Sequence, residues 1–372
     1  MAAFFAGEAV TYSYPDNDSQ MVFDGILAYN DESQENSKLA MDCSIYGVAY
    51  ELLYHDADAN IRFKALDAQY CIPIYNNTLE NALLYFIRFY DETDIMTGNV
   101  KTYVEVYDKA STRRYLLEGY AISFIEETQH YFNDVPVCVY QNNGDVQGDF
   151  EPVLTLIDSY NLLESLTMDD FQYFTDAYLA LTGLQGTEAS DIAAMKEQRV
   201  MLLPADAKAE WLIKASNDTA TENMKKRLHS NILLFSKTPD MTDENFAANA
   251  SGVAMKYKLL GLENTAGIKE RYFKLALQRR FELICNALSV LGSDFDYMSI
   301  GMQFHRSLPQ NQVEIADFIQ KVGHLLSEET QIQMLGLDID AQAEIDKRNA
   351  EKEASVSLPF DISGGDADGT SI

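Results

Sequence analysis

The chain has little tryptophan (one residue), few cysteines (four) and no apolar run of the roughly 18–20 residues that cross a bilayer. Its start, "MAAFFAGEAVTYSYP", lacks a basic leader, so neither a membrane partner nor a secretory signal is expected. Cys43, Cys71, Cys138 and Cys285 lie far apart and form no CxxC pair, so they are read as buried reduced thiols. Cations are scarce too. There are 28 Lys and Arg against 58 Asp and Glu, a net charge of -30 over 372 residues. So acidic a surface repels phosphates, which excludes gripping of nucleic acid by a general basic face.

Catalytic motifs are also missing. "GLENTAGIKE" (261–270) fails as a phosphate loop, because five residues separate its glycines and Ile268 stands between Gly267 and Lys269. There is no GxSxG elbow or HExxH pair, and the five histidines never reach metal-ligand spacing. "HDAD" (55–58) reads as a turn with solvated carboxylates, and "DADG" near the end lacks the bidentate glutamate of a calcium loop. No catalytic residue, metal site or cofactor is expected, and the chain is read as no enzyme.

What is present is organised by period. Up to about residue 140 the sequence alternates as strands do, in "YGVAYELLYHDADANIRFKALD", "ALLYFIRFYDE", "KTYVEVYDK" and "RRYLLEGY", after a segment helical in its second half. This predicts an α+β domain over 1–149. From 150 to 183 apolar residues recur at helical spacing (Val153, Ile157, Tyr160, Leu163, Phe174, Leu181), predicting one helix of roughly 50 Å. A small segment, 184–216, reads as a hairpin of "RVMLLP" and "AEWLIK" about "PADAK". Helix returns over 217–236, Pro239 breaks it, and a polar stretch leads to a helix of roughly 60 Å over 251–291. A strand over 298–305, helices over 311–326 and 327–335, and a disordered tail from 346 complete the expectation.

The long second helix holds seven cations between 251 and 280 (Lys256, Lys258, Lys269, Arg271, Lys274, Arg279, Arg280) against Glu263 and Glu270. Two readings stay open. The cations pair with acids of their own chain, including Glu270 to Lys274 at i,i+4, or they meet an acidic neighbouring subunit. Either way they serve carboxylates more than phosphates.

Taken in order, "FFAGEAVTYS", "SIYGVAYELLYHD", "VPVCVYQNNGDVQGDFEPVLTLIDSYNLLES", "TDENF", "SGVAMKYKLLGLENTAGIKERYFKLALQRRFELICNAL" and "SLPQNQVEIADFI" resemble the portal proteins of tailed bacteriophages, in the branch typical of siphophages of Gram-positive hosts. The resemblance covers nearly the whole chain outside the tail. Family members usually carry further helical sequence ahead of the first segment, so an N-terminal arm is expected to be missing.

The resemblance implies a portal fold: a wing (1–149), a first stem helix (150–183), a clip (184–216), a second stem helix (217–236), a tunnel loop (237–250), a long helix returning to the wing (251–306) and a crown (307–345). It implies a homo-oligomeric ring of twelve at the portal vertex of the virion, assembled in the host cytoplasm. Duplex DNA passes through the ring. Its partners would be the terminase large subunit, a head-completion adaptor, and the major capsid and scaffolding proteins.

On that alignment Asp240, Asp243, Glu244, Asn245 and Asn249 would line the DNA channel. Lys256, Lys258, Lys269, Arg271 and Lys274 would lie at subunit interfaces, and Arg199, Lys208 and Trp211 in the docking clip. Two long helices with too little partner surface in one chain agree with burial against neighbours, and a head-to-tail contact that closes makes a ring. The rival reading is an acidic oligomeric scaffold without DNA passage.

Overall fold

Phe5, on the five-residue helix α1 (Ala2–Ala6), starts the core around which the chain is built. In the computed structural model the described residues are 1–175, 178–182, 188, 190, 193, 197, 208–212, 218–240, 252–306, 312–335 and 341–356. They fall into two units, Met1–Ser307 and Leu308–Ile372.

Strand β1 (Thr11–Ser13) leads to α2 (Asn17–Tyr29), whose first turn is capped by Asp16 accepting from the Ser19 amide at 2.7 Å. Helix α3 (Glu32–Tyr46) follows and ends on Gly47 at φ 77°, the left-handed stop that glycine adopts without strain. The segment expected to be helical only in its second half is therefore two helices.

Strands β2 (Val48–His55) and β3 (Ile61–Leu66) form the expected hairpin. "HDAD" is its turn: Asp56 accepts from the amides of Asp58 and Asn60, and these hydrogen bonds hold its carboxyl below the usual range against the cost of burial. Next comes a five-stranded antiparallel meander of β4 (Cys71–Tyr75), β5 (Leu83–Thr93), β6 (Val100–Tyr107), β7 (Ser111–Glu118) and β8 (Ala121–Gln129). Gly119, at φ 61°, supplies the two-residue turn between β7 and β8. Strand β9 (Val137–Gln141) then returns beside β2, giving the order β3-β2-β9.

β2 is buried on both faces. Ala49 and Leu53 point into the larger core, whereas Tyr50 and Leu52 join Phe86 and Tyr107 of the meander in a second one. Glu51 shares the face of Ala49 and Leu53, so strand periodicity alone aims a carboxylate into the larger core.

The helix expected over 150–183 is shorter. After a 3-10 turn, α4 runs from Leu154 to Thr175, and Tyr178–Thr182 is instead a strand, β10, paired antiparallel with β11 (Lys208–Leu212). Leu181 continues the helical count, but "YLALT" satisfies a strand pattern equally well, and a strand partner decides between them. "AEWLIK" thus pairs through "YLALT", while "RVMLLP" lies outside the described residues.

Helix α5 (Asp218–Phe235) packs on α4, with Lys225 Nζ 2.9 Å from Glu164. It ends in a turn with Lys237 at φ 56°, just before Pro239. Helix α6 (Gly252–Val290) has 39 residues, about 58 Å of rise, matching the expected long helix within a residue or two at each end. Its C-terminal half fills the larger core with Phe273, Leu277, Phe281 and Ile284. Of the expected strand over 298–305, only β12 (Gly301–Gln303) forms, pairing with β1.

In the second unit the described helices are α7 (Gln312–Val322), α8 (Glu328–Met334) and α9 (Ala341–Val356). The Gln331 amide donates to the carbonyls of Gly323 and Leu326 and ties α8 to the turn before it, and Arg348 pairs with Glu328. Residues 346–356, expected within a disordered tail, are thus helical: they complete α9, whose Arg348 has a partner on α8.

Candidate functional site

α6 carries all seven cations that the sequence singled out, and they divide by depth. Arg280 is sealed from solvent. Its guanidinium donates to both oxygens of Glu51, at 2.8 Å from Nε and 2.7 Å from Nη2, and to Asn36 Oδ1 at 2.7 Å. It also stacks over the Phe63 ring at 4.4 Å. Burial opposes the Arg280 charge, but Glu51 outweighs it and holds the guanidinium charged.

Tyr140 donates to Glu51 at 2.9 Å, and Tyr12 and Asn36 both donate to Glu32. Burial raises the pKa of Glu32 even though Arg280 lies 3.5 Å away, because Arg280 is committed to Glu51. One residue earlier and nearer the surface, Arg279 pairs with Asp134 and Glu282, each at 2.8 Å.

Lys269, expected at a subunit interface, is a correction. Its side chain is 1% exposed, and its ammonium donates to Ser44 Oγ at 2.5 Å and Asp149 at 3.2 Å within its own chain. Burial lowers its pKa against the pull of Asp149. Glu270 does not pair with Lys274 as expected. Arg306, arriving on the segment after β12, takes Glu270 at 2.5 Å and Glu263 at 3.1 Å. The reading in which α6 pairs with its own chain therefore holds for Lys269, Arg279 and Arg280.

Lys256, Lys258, Arg271 and Lys274 lie nearer the surface, and all four are exposed. They lie among exposed apolar residues, Tyr257 (74%), Leu260, Ile268 and Leu275. With 100° per residue, Tyr257, Leu260, Asn264, Ile268, Arg271 and Leu275 share one face. α4 has a comparable outer face, with Leu154, Leu162 and Leu166 exposed beside Asp158 and Asp169.

Of the expected channel residues, Asp240 is half-buried just after α5, and Asp243, Glu244, Asn245 and Asn249 lie outside the described residues. In the expected clip, Lys208 is exposed at the start of β11, Trp211 stands opposite Leu179 in the β10–β11 register, and Arg199 lies outside the described residues.

The Arg280–Glu51 pair was not singled out from sequence as a site. The signal was a lone glutamate inside the apolar run "VAYELLY", which strand alternation points inward and which then needs a cation. Among the described residues no group of His, Cys, Asp and Glu is arranged to hold a metal. All four cysteines are free thiols; Cys43, Cys138 and Cys285 are buried, and burial pushes Cys43 up to about 12. Such thiols are poor nucleophiles.

The family description "Phage portal protein, SPP1 Gp6-like" matches residues 1–357. The portal protein of Clostridium phage phiCD119 is 26% identical over 314 residues, covering 78% of this chain and 68% of that protein. The portal protein of Bacillus phage SPP1 is 23% identical over 390 residues, covering 98% and 76%. Among solved structures, the neck of an empty GTA particle computed with C6 symmetry has a chain that aligns with a TM-score of 0.51 at 12% identity, over 90% of this chain and 87% of its own, a likeness of fold.

Proposed function

The chain belongs to the SPP1 Gp6-like family of phage portal proteins, which form the ring at the head-to-tail vertex through which DNA enters and leaves the capsid, and from that premise we propose how its residues divide the work. The ring contains twelve copies. Lys256, Lys258, Arg271 and Lys274 on α6 lie at the contact between adjacent copies, where they meet carboxylates. The tunnel loop (237–250) faces the channel and presents Asp240, Asp243, Glu244, Asn245 and Asn249 to passing DNA. The clip, with Arg199, Lys208 and Trp211, docks first the terminase large subunit and then the head-completion adaptor. Capsid and scaffolding proteins surround the ring, which assembles in the host cytoplasm. The ring itself turns over no substrate, and a separate motor ATPase supplies the energy.

The observation that carries this reading is the separation of charge. A chain of net charge -30 keeps four exposed cations together on one helix and gives its polar loop acids. Each phosphate neutralised by a cation would hold the DNA by releasing counterions, so an acidic passage keeps the duplex mobile. The test is to replace Asp240, Asp243 and Glu244 with lysine. Rings should still form, packaging yield should fall, and purified rings should retain DNA in a manner that weakens steeply with salt. Unchanged packaging without salt-sensitive retention removes the loop from the channel. For the clip, replacing its exposed residues should abolish packaging while rings persist, and packaging that survives overturns the assignment.

A further inference from the structure

A ring made by a head-to-tail contact needs two different, complementary faces on every subunit. The proposed function supplies one, the cationic face of α6, and leaves its acceptor unnamed. Resting on that reading, we propose that the acceptor is the outward face of α4 on the neighbouring copy: Arg271 and Lys274 of one subunit seat against Asp158 and Asp169 of the next, over an apolar seam of Tyr257, Leu260, Ile268 and Leu275 against Leu154, Leu162 and Leu166.

Three observations carry this. The first is charge. α4, from Leu154 to Thr175, contains four acids and no Lys or Arg. Glu164 turns inward to Lys225, whereas Asp158 and Asp169 are exposed on the face of Leu162. On α6 the nearby acids are already taken, since Arg306 holds both Glu263 and Glu270, so its exposed face is positive on balance. The second is apolar surface. Leu162 is 61% exposed and Leu275 is 63% exposed, the latter on a helix that buries Leu259, Leu262, Leu277 and Leu283. Two amphipathic faces of opposite charge fit each other, and neither fits a second copy of itself.

The third is Gly267. It sits mid-helix on the edge of this face, where glycine costs about 1 kcal/mol relative to alanine, yet a Cβ there would meet nothing within 4 Å. Nothing among the described residues calls for its small size. A helix of another copy crossing closely would. The meander's outer face is the competing apolar surface, but Glu92, Glu105, Glu126 and Glu127 there pair with its own Arg88, Arg113 and Arg114.

The experiment is a charge swap on the full chain, read as the ring fraction by native mass measurement, with circular dichroism to check folding. Arg271→Glu with Lys274→Glu, and separately Asp158→Lys with Asp169→Lys, should each lower the ring fraction about tenfold, and the four together should restore it to within about twofold. Gly267→Leu should leave the subunit's melting unchanged or higher and still block rings. If both pairs weaken assembly and the combined variant does not recover, α6 remains an interface and α4 is not its partner, which overturns this inference alone. A normal ring from the α4 pair does the same. A normal ring from the α6 pair overturns the interface reading itself, and this inference with it.

Discussion

Arg280 Nη2 lies 2.7 Å from Glu51 Oε1, with both side chains 0% exposed. The pair pins the middle of β2 to the C-terminal half of α6, elements separated by more than half the chain. Ser44 and Lys269 repeat the arrangement between the end of α3 and the middle of α6. The long helix is therefore anchored to the N-terminal half of the chain by charge as well as by its apolar face.

Removing one member of such a pair strands the other. Glu51→Leu should destabilise the folded subunit by about 3–5 kcal/mol, measured by chemical denaturation, because a buried guanidinium then loses its carboxylate. Glu51→Leu combined with Arg280→Met should recover most of that loss, since a packed apolar pair replaces the ionic one at little net cost. If the double variant is as unstable as the single, the pair contributes through packing geometry and not through charge.

Glu32 is a second buried acid beside Arg280. Burial raises its pKa above the ordinary 4.5. For an acid whose folded-state pKa is raised, the stabilising contribution is complete below the unfolded value and lost as pH rises through the folded one. The stability of the wild type relative to Glu32→Gln should accordingly decline as pH is raised above the ordinary 4.5, and Glu32→Gln should cost less at neutral pH than Glu51→Gln. Thermal melts of the three proteins over that pH series decide it, and a flat difference between wild type and Glu32→Gln would contradict the assignment.

Lys269 tests the same linkage at alkaline pH. Its pKa is lowered by burial below the ordinary 10.5. The unfolded chain then binds the proton more tightly than the folded one, so a penalty present at neutral pH is relieved as pH rises through the folded value towards 10.5. Wild type should gain stability relative to Lys269→Met across that window. At neutral pH the variant should lie within about 1 kcal/mol of wild type, because Asp149 keeps the Asn142 amide at 2.8 Å and is partly open to water.

Gly47 is the position where backbone decides. Its φ is 77°, and a Cβ there would stand 2.2 Å from the Val146 carbonyl oxygen, a backbone atom that no rotamer change can move. Gly47→Ala should cost about 3 kcal/mol or more. Gly25, inside α2 with nothing near its missing Cβ, provides the contrast: Gly25→Ala should stabilise by about 0.5–1 kcal/mol. Equal effects from the two substitutions, compared by urea midpoint, would show that the contact with Val146 is not maintained in solution.

Local patterning determined much of this protein. The hairpin about "HDADAN", the strands of the meander and the 39-residue α6 are legible because each is long, periodic and bounded by turn formers or glycine. The negative charge, which keeps phosphates from being gripped, is a property of composition alone. Tertiary structure decided what local pattern leaves degenerate. "YLALT" reads as helix or strand until β11 lies beside it, because hydrogen bonds across a sheet come from residues distant in sequence. The seven cations of α6 read alike until depth sorts them, since a charge is bound to its own chain where desolvation forces it to find a carboxylate. Lys269 and Arg280 are so bound, and Arg271 and Lys274 remain exposed at the surface.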